Sequence, residues 1–238
     1  MKRGLCLLLI CSWCLSAAYA QQIGLPLMQT FGYEDYGGYP QNWCLDFDPQ
    51  GRLYVANAEA LLRYDGSRWE TLLEQGFQSL AIDTDGKVYV GGINDFGYFY
   101  DKNFYSLKYL LPDSIALDKV WRVHILPEGV FFYTDVHIFL LQNEDQVKVI
   151  SPDTDNGFWL AYVANGKYFF QELGLGLFVW QEGEKHLIES DYCARYLLNE
   201  MLPTQDPDQI DLLMVNTKKG TFVATLDLGS QPRYNHAQ

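Results

Sequence analysis

The chain is poor in the residue types that mark most chemistries. It has five cysteines, and three of them, Cys6, Cys11 and Cys14, fall within the first twenty residues. Cys44 and Cys193 remain, too few for a disulfide framework or a zinc site; they can pair only if the fold makes their strands neighbours. Basic residues are scarce, 17 Lys and Arg against 30 Asp and Glu, a net charge of −13. So acidic a surface argues against nucleic acid and anionic lipid as partners. There are four histidines and no G-x-S-x-G, so no nucleophile stands beside an obvious base. After residue 20 no apolar run is long enough to span a bilayer, and no stretch keeps a helical period with caps.

Residues 1–20 read as an export signal. Lys2 and Arg3 precede the uncharged apolar run Leu5 to Leu15, and Ala18-Tyr19-Ala20 offers a small-x-small cleavage site before Gln21. Cleavage there predicts a periplasmic or secreted form of 218 residues with a net charge of −15.

The rest of the chain repeats one phrase: an alternating strand, a tight turn, an apolar strand, a short polar loop and a third strand. The first copy runs from Trp43 through the turn at Gly51 to Leu53-Tyr54-Val55-Ala56, then Leu61 to Tyr64 and Trp69 to Leu72. Later copies turn at Gly86, Gly129 and Gly166, which puts the turn glycines 35, 43 and 37 residues apart. A four-stranded unit of about 40 residues is the size of a β-propeller blade, and radial stacking buries both faces of each twisted sheet. The expected fold is all-β, with about four and a half blades of four antiparallel strands and an incomplete propeller. The expected boundaries are 1–20 signal, 21–40 entry segment, 41–74, 75–112, 113–152 and 153–190 for four blades, 191–228 for a partial fifth, and 229–238 for an unstructured tail. In the second copy the outer strand is expected at Ser106 to Leu111. Alternatively, Leu25 to Phe31 supplies the missing outer strand of the fifth blade and closes a five-blade ring.

Phe31 to Tyr100, with "QNWCLDFDPQGRLYVANAEALLRYDGSRWETL" and "FQSLAIDTDGKVYVGGINDFGYF", resembles the opening blades of the two-component regulator propeller family. From Val120 to Ala224 the likeness is one of pattern. The resemblance implies a periplasmic propeller sensor in a longer regulator. Further blades, a triple-tyrosine module, a membrane helix and a cytoplasmic output would follow, with dimeric signalling. None of those later parts is present in these 238 residues.

On this reading the chain is not an enzyme and needs no cofactor and no metal. Asp153-Thr154-Asp155-Asn156-Gly157 resembles the start of a calcium loop but lacks the distal glutamate, so turn chemistry is the default. The expected function is ligand sensing, with oligosaccharide as the ligand; the alternatives are a carbohydrate-active propeller enzyme and a protein-docking propeller. In a propeller, the loops after second strands and the entries to first strands gather at one mouth of the channel. Candidate ligand-binding residues there are Asn42, Trp43, Asn94, Asp95, Arg122, Asp135, Glu172 and Lys218, with Asn57, Glu59 and Trp159 beside them. Amides and carboxylates take sugar hydroxyls, and rings cover the apolar sugar face. The matching positions of Trp43, Trp121 and Trp159 also suit packing between blades.

Overall fold

A computed structural model describes residues 28–189, 193–206, 208–216, 220–228 and 234–236. The signal segment lies outside the described residues. The chain divides into two units, 1–31 and 32–238. Of the first, residues 28–31 are described and belong to no helix or strand.

The second unit holds twenty strands in five sheets, each of four antiparallel strands in chain order. Sheet 1 comprises β1 (Asn42–Phe47), β2 (Leu53–Asn57), β3 (Leu61–Tyr64) and β4 (Trp69–Leu73). Sheet 2 comprises β5 (Phe77–Ile82), β6 (Val88–Gly92), β7 (Phe96–Tyr100) and β8 (Asn103–Ser106). Sheet 3 comprises β9 (Arg122–Leu126), β10 (Gly129–Tyr133), β11 (Ile138–Asn143) and β12 (Gln146–Ile150). Sheet 4 comprises β13 (Phe158–Ala164), β14 (Lys167–Glu172), β15 (Gly176–Gln181) and β16 (Glu184–Glu189). Sheet 5 comprises β17 (Leu197–Pro203), β18 (Gln209–Asn216), β19 (Gly220–Asp227) and β20 (Tyr234–His236). A short helix, α1 (Tyr33–Tyr36), packs by sheet 1, with the Tyr36 ring centroid 5.6 Å from that of Trp69.

The turns explain the strand boundaries. Asp48 Oδ1 accepts the backbone N–H groups of Gln50 and Arg52 at 3.0 and 2.9 Å, and Asp83 Oδ1 does the same for Asp85 and Lys87. Gly51 and Gly86 then take φ of 78° and 80°, a left-handed conformation that costs glycine nothing.

The core lies between sheets. Tyr54, Ala56 and Leu61 of sheet 1 pack with Leu80, Val88 and Val90 of sheet 2. Three further clusters join sheets 2 and 3, 3 and 4, and 4 and 5. The middle strands β6, β10 and β11 are buried nearly throughout, because both of their faces are covered.

Sheet 1 presents one uncovered face. Leu45 and Phe47 of β1 are 63% and 59% exposed, whereas Leu80, at the matching place in β5, is 4% exposed. The described chain is therefore an open stack and not a closed five-sheet ring.

The structure corrects three expectations. The outer strand of sheet 2 is Asn103–Ser106; Lys108–Leu110 is a 3₁₀ turn. Asp101 and Lys102 have φ of 45° and 66°, so the chain reverses directly after Tyr100, and Asn103 pairs with it. The fifth sheet has a fourth strand, since Tyr234–His236 pairs with Ala224, Thr225 and Leu226. That strand lies in the stretch expected to be unstructured. Finally, residues 28–31 form no strand, and residues 25–27 lie outside the described ones.

Candidate functional site at the convergence of the inner strands

The first strands of the sheets begin close together. A cavity of about 600 Å³ opens there, lined by Trp43, Gln78, Trp121, Arg122, Tyr133, Asp135, Asn156, Phe158, Trp159, Leu160 and Leu173. Trp43 opens sheet 1, Gln78 sheet 2, Trp121 and Arg122 sheet 3, and Phe158 and Trp159 sheet 4. The Trp43 and Trp121 rings meet edge to face with centroids 6.2 Å apart, bridging sheets 1 and 3 across the opening. Trp43 is 41% exposed and Trp159 42%, so each ring keeps an accessible part while the rest packs against its surroundings. Trp159 also has a structural role: its Nε1 donates to the Leu198 carbonyl of sheet 5 at 2.8 Å.

The polar groups of the cavity differ in how far they are committed. Asp135 Oδ2 accepts from Trp121 Nε1 at 3.0 Å, and Oδ1 accepts from the Tyr133 hydroxyl at 3.3 Å. Burial, with the neighbouring Asp135, pushes the Tyr133 hydroxyl far above the ordinary tyrosine range. Gln78 is buried, yet its Oε1 has no hydrogen-bond partner among the described residues. A buried acceptor without a donor is costly, and such sites take a water or a ligand hydroxyl. Arg122 lies with its guanidinium 5.2 Å from the Tyr162 ring centroid. Burial and Glu200 push the Tyr162 hydroxyl up to about 12, so the ring stays neutral.

Of the eight residues expected at this mouth, Trp43, Arg122 and Asp135 meet in the cavity. Asn42 is instead held in a network with Asn57 and Tyr36: its Oδ1 accepts from Asn57 Nδ2 at 2.7 Å, and its Nδ2 donates to the Tyr36 hydroxyl. Asn94 accepts from Lys108 Nζ at 2.8 Å on an exposed loop. Asp95 Oδ1 accepts from Ser106 Oγ at 2.6 Å and from the Phe96 N–H, fastening a turn. Glu172 is fully buried and accepts from the backbone N–H groups of Asp153 and Thr154 and from Lys185 Nζ. Lys218 lies outside the described residues.

Sequence reasoning had Tyr133, Phe158 and Leu160 only as strand residues, and it missed Gln78, Asn156 and Leu173. Gln78 was accessible by register: counting back five residues from the turn aspartates Asp48 and Asp83 gives Trp43 and Gln78. The other two come from the connection into sheet 4 and the loop after β14.

Lys185 Nζ also lies 2.9 Å from Asp153 Oδ1, so an ammonium group sits at the start of the calcium-like stretch. Among the described residues no three His, Cys, Asp or Glu side chains gather as a metal site would require. Cys44 and Cys193 are not joined to each other by a disulfide. No described helix is long and apolar enough to cross a membrane.

No family model and no curated protein sequence matches the chain. Solved structures do. The extracellular domain of the BT4673 one-component system of B. thetaiotaomicron superposes with a TM-score of 0.61 at 10% identity, over 83% of this chain and 28% of that one. The WD40 β-propeller domain of Doa1 matches with a TM-score of 0.58 at 10% identity, over 83% of this chain and 70% of that one. The fold is a β-propeller. The five sheets are its blades, and the axial cavity lies among the starts of the inner strands of blades 1 to 4. Virginiamycin B lyase from Staphylococcus aureus is similar at a TM-score of 0.60 and 11% identity, over 82% of this chain and 69% of that one. The propeller thus spans little more than a quarter of the length of the BT4673 extracellular domain that it resembles.

Proposed function

We propose that this chain is a non-catalytic, ligand-sensing propeller portion of a larger exported regulator, and that a saccharide binds in the axial cavity. The cavity carries this reading. It presents Trp43, Trp121 and Trp159 around a buried, unpartnered Gln78 acceptor. Indole faces suit the apolar face of a pyranose ring, and Gln78 and Asn156 suit its hydroxyls. The likeness to an extracellular sensor domain supports the regulatory setting. The remaining blades, a triple-tyrosine module and a second copy are the partners this setting calls for.

The non-catalytic reading rests on the commitments of the acidic group. Asp135 is the carboxylate lining the cavity, and both its oxygens already accept hydrogen bonds. Two-carboxylate glycoside hydrolysis needs a second carboxylate across the bond. The test is calorimetric titration of the purified chain against a polysaccharide and oligosaccharide panel, with product analysis of each mixture. Binding without bond cleavage is expected. Cleavage would overturn the sensory reading, and the absence of any saccharide binding would overturn the site.

A further inference from the structure

We infer that the axial cavity selects an anionic saccharide, one carrying a carboxylate on the sugar, and that Arg122 recognises the carboxylate. This rests on the reading of the cavity as a saccharide site. The molecule as a whole is strongly acidic, yet the lining of this cavity carries one guanidinium, Arg122, for its one carboxylate. Its carboxylate, Asp135, has both oxygens occupied by the Trp121 indole and the Tyr133 hydroxyl. Its guanidinium is not so occupied. Arg122 lines the cavity and forms no ion pair among the described residues; it rests against the Tyr162 ring instead. Glu200, which faces the same tyrosine from blade 5, does not pair with it. Lys119 Nζ lies 4.3 Å from the Trp121 ring centroid at the rim and likewise has no ion pair among the described residues.

Elsewhere in the molecule several basic side chains do find carboxylates: Arg52 with Asp48, Arg63 with Glu70, Lys87 with Glu144, and Lys185 with Glu172. In a chain with 30 acidic residues, an arginine that has no ion pair among the described residues and lines an aromatic cavity is placed to meet an incoming anion. A planar guanidinium takes a carboxylate through two parallel hydrogen bonds, which fixes the orientation of the sugar. Trp43 and Trp159 then cover the ring, and Gln78 Oε1 accepts a hydroxyl.

Trigalacturonate and its fully methyl-esterified form test this, titrated calorimetrically into the full chain at low and moderate salt. The two ligands share ring faces and hydroxyls, and the ester replaces each carboxylate with a neutral, slightly larger group; the Arg122 variant separates the loss of charge from the added methyl. The acid is expected to bind about tenfold or more tightly than the ester, with the difference shrinking as salt rises. Arg122→Gln is expected to abolish the difference, while an unchanged thermal midpoint shows that the variant is folded. Equal affinity for acid and ester, or an acid preference that survives Arg122→Gln, overturns the inference. Binding of neutral saccharides alone overturns it and leaves the saccharide site standing. Failure of every saccharide to bind overturns both.

Discussion

Lys185 Nζ lies 2.9 Å from a carboxylate oxygen of Glu172, a side chain with no exposed surface. The same carboxylate accepts the N–H groups of Asp153 and Thr154, and the same ammonium reaches Asp153 and the Ser151 carbonyl. One buried pair thereby pins the connection that leads from blade 3 into blade 4. Removing one partner strands the other charge. Glu172→Ala is expected to cost about 3 kcal/mol of stability, read by urea denaturation. Added calcium is expected to leave the thermal midpoint of the native chain unchanged, because an ammonium already sits beside Asp153. A rise of several degrees would show that the ion displaces Lys185.

Trp43 projects into the axial cavity and is partly exposed, so its loss should affect binding more than folding. Trp43→Ala is expected to weaken saccharide binding about tenfold while changing stability by less than about 1 kcal/mol. Trp159→Ala should weaken both, since its indole also bonds to Leu198 in the next blade. Paired titration and denaturation curves separate the two cases.

Gln78 sets stability against function. Its buried Oε1 lacks a donor, so Gln78→Leu is expected to raise stability by about 1 kcal/mol and lower ligand affinity. A variant that is destabilised, with binding intact, would show that the amide is structural.

His124 provides a pH signature. Burial, with Arg122 nearby, holds its imidazole down at about 4, against 6.5 in an unfolded chain. Between those values the unfolded chain binds the proton and the folded one does not. Stability is therefore expected to fall as pH drops from about 6.5 toward 4, by roughly 3 kcal/mol over the window. His124→Phe should flatten this part of the profile, measured by denaturation at a series of pH values.

The uncovered face of β1 carries Leu45 and Phe47. Replacing Leu45 and Phe47 with serine is expected to cost little stability, because neither is buried, and to reduce binding of an apolar dye and concentration-dependent association. Unchanged dye binding would place the sticky surface elsewhere.

Much of the blade pattern was legible in the residues. Gly51, Gly86 and Gly166 stand in turns with φ between 70° and 80°, and the strands around them follow the alternating runs. The turn at Asp101 and Lys102 was not legible, because left-handed backbone at these residue types carries no reliable mark in sequence. Nor was β20, three residues held only by pairing with β19. At the site, Trp43, Arg122 and Asp135 could be placed from their positions in the repeat. Glu172 could not be told from them, because its burial depends on Lys185, thirteen residues away on another strand.

The sequence alone determined the repeating unit: where strands run, where they turn, and that each sheet needs neighbours on both faces. These are consequences of short-range backbone preference and of the period of apolar residues, which act within a few positions. Tertiary structure alone decided which polar side chains are spent within the fold and which stay available. Trp43 and Trp121 are 78 positions apart in the chain, yet their rings touch; Glu172 and Arg122 look equally polar, yet one is neutralised by an ammonium and the other has only an aromatic ring. The reason is physical: the state of a charge depends on what surrounds it in space, and blade packing brings those surroundings from distant parts of the chain.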